Sequence, residues 1–129
     1  MKRHITKDDF DFVLGMLAYV VKSRNEIMKE LWFHPYMQYA HISKGGHKEL
    51  ISGLRSRIFE EQYRILCSEC MRDRYPMISK IEKYDVSMQQ KCVMILISLG
   101  MPVPMIADIT MIAAGRVRVI IKEYPELFK

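Results

Sequence analysis

An apolar stripe at helical spacing constrains this chain more than any other feature. Phe10, Val13, Leu17, Val20, Ile27 and Leu31 recur at steps of three, four and seven, and Leu14, Val21 and Met28 widen the stripe. That period places one face of a helix against a core. The step of seven arises at Arg24, which alone interrupts the seam. Thr6, ahead of Lys7, Asp8 and Asp9, offers a hydroxyl cap with carboxylates in the first turn, where they suit the positive end of the helix dipole. Pro35 cannot extend the ladder and disfavours helical geometry at His34, so the helix is expected to end near Phe33.

His34 to Gly46 has the turn chemistry of a connector, and its aromatics either pack on the flanking helices or form a partner site. A second long helix is expected from His47 to about Arg74, with Leu50, Ile51, Leu54, Ile58, Ile65, Leu66 and Cys70 toward one side. Charges of both signs fill the remainder, including Glu60 and Arg64 at the four-residue spacing of a helical ion pair. The two helices form either a hairpin within one chain or a pair across a homodimer axis. Tyr75-Pro76 stops the second, and Met77 to Ile81 has length for another turn or two. With eleven Met against six Gly and five Pro, the reading is all-α.

The opening MKRHITKDDFDF sets three aspartates where an export signal needs an apolar core, and no apolar run reaches membrane-spanning length, so a cytoplasmic location is expected. Cys67, Cys70 and Cys92 are then expected as reduced thiols. Cys67 and Cys70 have CxxC spacing, but no second close ligand pair follows, and His41 and His47 are the only completers; structural thiols are preferred to a metal site. No Gly-rich phosphate loop, HExxH pair or nucleophile elbow occurs, so neither an enzyme nor a cofactor is expected. The net charge of +5 suits an anionic partner, yet no segment is a dense basic arm. A basic patch would have to be assembled by folding or dimerisation.

The carboxyl-terminal part is organised differently. Ser87 is a good N-cap for a helix through Cys92, Val93, Met94, Ile95, Leu96, Ile97 and Leu99, apolar nearly all round and therefore central. Gly100 suits a left-handed helix end. A short helix from Pro104 to Ile109 or Thr110, a turn to Ala113 and a helix from about Ala114 to Glu123 follow, with Pro125 as the stop. In a helix-turn-helix the second helix crosses the first closely, which calls for a small residue and apolar contacts at set distances. Ala107 is placed for the first, and Ile106, Ile112, Val117 and Ile120 for the second. The expected organisation is a helical dimerisation or signal module over 1–84 and a helix-turn-helix domain over 85–129.

Residues 85–122, with Ser87-Met88-Gln89-Gln90, Ile97-Ser98-Leu99-Gly100, Met105-Ile106-Ala107-Asp108-Ile109 and Val117-Arg118-Val119-Ile120-Ile121-Lys122, resemble the LuxR-type DNA-binding effector domain. They are especially similar to divergent versions from regulators of Bacteroidetes bacteria, in which a helical segment and a Tyr/Phe-Pro element, here Tyr75-Pro76, come first. The resemblance implies a bacterial transcription regulator whose final helix enters the major groove of double-stranded DNA. It differs at the turn, where Met111 replaces a small residue, and at the start of the final helix, where Ile112-Ala113-Ala114-Gly115 replaces polar residues. Arg116 is the first candidate for base contact. Arg118 and Lys122 are candidates for base or phosphate, and Lys91 for phosphate from the preceding helix. The alternative is a protein-interaction module, partnered through the N-terminal helices, whose helix-turn-helix binds no DNA.

Overall fold

The computed structural model describes residues 6–33 and 44–128, and within them all side chains except those of residues 10, 30–33, 44–54 and 128. Every regular element among these residues is helical. In chain order they are α1 (Lys7–Phe33), α2 (Lys44–Leu66), α3 (Glu69–Arg74), α4 (Met77–Glu82), α5 (Met88–Ser98), α6 (Val103–Thr110), α7 (Ala114–Glu123) and a 3-10 turn, Pro125–Phe128. None of the helices is long and apolar enough to cross a membrane.

The start of α1 is a reciprocal cap. The Asp9 amide donates to Thr6 Oγ1 at 3.1 Å, and the Thr6 amide donates to Asp9 Oδ2 at 3.3 Å. The same carboxylate, buried, accepts from Arg74 Nε at 3.0 Å and from the Tyr75 hydroxyl at 3.3 Å, so it ties α1 to the end of α3. Arg74 also stacks on the Phe12 ring, 4.3 Å from its centroid. Along α1, Val13, Leu17, Val20 and Ile27 are buried, whereas Leu14 is exposed and Val21 and Met28 are half-buried. The apolar stripe is thus narrower than the sequence suggests. Phe10 and Leu31, and the connector aromatics between α1 and α2, lie outside the described side chains.

The second long helix is shorter than expected. It ends at Leu66 and restarts at Glu69, because Ser68 is extended (φ −61°, ψ 157°) at the N-cap position, without a side-chain cap hydrogen bond, and Glu69 lies in the following first turn. That interruption rotates Cys70 off the core face; it is exposed, while Ile58, Ile65 and Leu66 are buried. Arg64 pairs with Glu61, three residues back, in place of Glu60 four back, and this contact holds the Glu61 carboxyl below its ordinary range. Leu50, Ile51 and Leu54 lie outside the described side chains.

Helix α5 occupies the centre, with Cys92 through Ile97 all buried. Ser87 caps it, its Oγ accepting from the Gln90 amide at 3.1 Å. Gly100 takes the left-handed conformation after it, φ 81°. Residues 84 and 85 fall between α4 and α5, and one hydrophobic cluster runs across that point. Val13, Leu17 and Val20 of α1 and Ile65 and Leu66 of α2 belong to it together with α5, Ile106, Val117, Ile120 and Leu127. At the far end, the Tyr84 hydroxyl donates to Glu126 at 3.0 Å and its ring lies 5.6 Å from that of Tyr124, which fastens the terminal turn.

The three cysteines are free thiols in unlike surroundings. Burial, reinforced by the charge of Glu82, pushes the half-buried Cys67 up to about 11. Burial pushes Cys92 up to about 12. Since the thiolate is the reactive species, iodoacetamide at pH 8 is expected to modify exposed Cys70 first, with Cys67 and Cys92 following only on unfolding or at much higher pH. Mass-mapped alkylation checks this, and equal rates at the three sites would contradict it. No group of three or more His, Cys, Asp or Glu side chains among the described residues is arranged to hold a metal ion. His41 and the side chain of His47 lie outside that description.

Candidate nucleic-acid interface

The geometry at α6 and α7 begins with their packing residues. Ile106, Val117 and Ile120 are fully or almost fully buried. Ile112 is half-buried and packs on the core, and Ala107 is half-buried on α6. Thr110, also buried, donates its hydroxyl to the Ile106 carbonyl at 2.7 Å, which closes the last turn of α6. Met111 then adopts the left-handed conformation (φ 57°, ψ 32°) and redirects the chain into α7. A side chain with a Cβ is strained there by roughly 1 to 2 kcal/mol. Met111→Gly is therefore expected to raise the unfolding free energy by about 1 kcal/mol after the entropy cost of glycine. A chemical denaturation midpoint that falls instead would contradict the strain.

The carbonyl end of α6 is held from outside the helix-turn-helix. The Arg24 guanidinium of α1 donates to the Asp108 carbonyl and, at 3.4 Å, to that of Ile109. Gln62 of α2, fully buried, donates its amide to the Ile109 carbonyl at 2.9 Å. These carbonyls belong to the last turn, where a helix has no internal donors left and where positive charge suits its dipole. The residue that breaks the apolar seam of α1 is thus the one that caps α6. The sequence showed the interruption, but nothing in it showed the target.

On α7, Gly115, Arg116, Arg118, Val119 and Lys122 are exposed, opposite buried Val117 and Ile120. Arg116, Arg118 and Lys122 make no ion pair with any described residue, and the one hydrogen bond among them is a long contact from Arg116 to Gln90 Oε1, 3.5 Å. The N-cap of α7 is Ala113, which has no side-chain acceptor to give the first amides of the helix. Lys91 does not join this set. It is half-buried, its ammonium donates to the Glu82 carbonyl at 2.8 Å, and it lies 5.9 Å from the centroid of the Tyr63 ring. It closes the end of α4 rather than facing a ligand.

Beside the start of α7 is a polar cavity of about 320 Å3 to which Arg55, Ser87, Gln89, Gln90, Ala113 and Arg116 all contribute. Arg55 has no counterpart in the residues singled out from sequence, because it lies on another helix and carries no motif. No protein-family model, no curated protein and no solved structure matches the chain.

Proposed function

We propose that the chain is a DNA-binding transcription regulator whose α7 lies in the major groove. What supports this is one observation: three cations project from the solvent face of α7 without an acidic partner among the described residues, on a helix whose opposite face is locked into the core. Such a face offers guanidinium groups to base edges and phosphates. Ala113, Ala114 and Gly115 at its start add no hydrogen-bonding side chain, so base reading and backbone affinity both fall on Arg116, Arg118 and Lys122. A homodimer held through the long helices would set two such faces at half-site spacing.

A helical protein-interaction module is the second reading, and one observation favours it. Leu14, Val21 and Met28 of α1 face Met105 and Ile109 of α6 across an open, largely apolar groove of about 850 Å3. Exposed apolar surface of this kind marks interaction sites. Duplex binding separates the two. A DNA regulator loses affinity steeply as salt rises, because phosphate contacts release counterions. Absence of binding in low salt would favour the protein-interaction module.

A further inference from the structure

The cavity at the start of α7 takes a cation from outside the helix-turn-helix. Arg55 of α2 and Arg116 of α7 both border it together with Ser87, Gln89 and Gln90, and no Asp or Glu among the described residues is part of its wall. Arg55 is exposed and has no hydrogen bond or ion pair to any described residue. Two guanidinium groups bordering one small space repel each other, and an anion placed between them reverses the sign of both interactions. The wall also supplies neutral donors: the amides of Gln89 and Gln90, and the Ser87 hydroxyl, whose oxygen accepts from the Gln90 amide while its proton stays available.

Gly115, the residue before Arg116, leaves open space at the start of α7. Its φ is not left-handed, and a Cβ built on it would meet nothing within 4 Å, so neither backbone geometry nor packing calls for glycine. Glycine within a helix costs about 1 kcal/mol relative to alanine. Its bare, exposed backbone leaves room for a sugar-phosphate strand next to Arg116.

We propose that Arg55 is a further phosphate-binding residue, so that α2 and α7 together hold one phosphate of duplex DNA between Arg55 and Arg116. The inference rests on the DNA-binding reading above and adds the N-terminal helix pair to the interface. Affinity then depends on where α2 stands relative to α7, and the Gln62 bond ties α2 to α6, the helix that precedes α7.

The test is the salt dependence of binding of the full chain to a mixed-sequence duplex of roughly three helical turns, with circular dichroism to verify folding of each variant. Each phosphate contact contributes about 0.9 to the slope of log affinity against log salt. Arg55→Ala and Arg116→Ala are each expected to lower the slope by about 0.9, because the one phosphate is released when either arginine is lost; the double variant is expected to show the same total loss of about 0.9, and Arg55→Lys to leave the slope unchanged. If the wild type binds and Arg55→Ala keeps the full slope, Arg55 is no phosphate ligand, and the DNA-binding reading stands without it. Additive losses in the double variant would overturn the shared phosphate. Failure of the wild-type chain to bind at low salt would overturn the DNA-binding reading and this inference with it.

Discussion

Truncating Leu96 to Ala is expected to lower the unfolding free energy by about 3.5 kcal/mol, the middle of the range for a buried leucine that leaves a cavity. Leu96 is fully buried on α5, the helix on which α2, α4, α6 and the terminal turn converge. Because one cluster joins α1 and α2 to α6 and α7 through this helix, the loss is expected in one transition. Urea unfolding followed by far-ultraviolet and near-ultraviolet circular dichroism checks both points. Two separated transitions, with only the second shifted by the substitution, would show that the N-terminal helices fold apart from the rest.

The other large effect is on binding. Replacing Arg116, Arg118 and Lys122 together by Ala removes the three outward cations of α7 and is expected to reduce duplex affinity at least 100-fold at low salt, with the salt slope lowered by about 2.7 if each meets a phosphate. Stability should hardly change, since none of the three has an ion-pair partner among the described residues. The size of the loss follows from electrostatics and not from packing, so charge-retaining replacement by Lys at 116 and 118 should recover most of the non-specific affinity. It should not recover sequence preference, because only the planar guanidinium makes the bidentate contact to guanine. A triple variant that binds as the wild type does would place the DNA surface elsewhere.

The features legible in the sequence are those fixed by local chemistry. The Thr6 and Ser87 caps, the left-handed Gly100 and the bounds of α7 all follow from a few adjacent residues, and all are present. The centrality of α5 followed from its being apolar on every side. The break at Ser68 was written there too, as a Ser-Glu helix start, but the apolar period running through it suggested one continuous helix. The rest depends on contacts between distant residues. Lys91 has the charge of a phosphate ligand, yet a carbonyl nine residues earlier takes it. Arg24 and Gln62 look like imperfections in two apolar faces until α6 is placed beside them, and Arg55 gains meaning only when α2 meets the start of α7.

The proposed site for duplex DNA is the outer face of α7. Amide chemical-shift mapping of the labelled protein during titration with duplex DNA in low salt tests this most directly. The largest shifts are expected at Gly115, Arg116, Arg118, Val119 and Lys122. Shifts confined to the groove between α1 and α6, or no shifts at all, would contradict it.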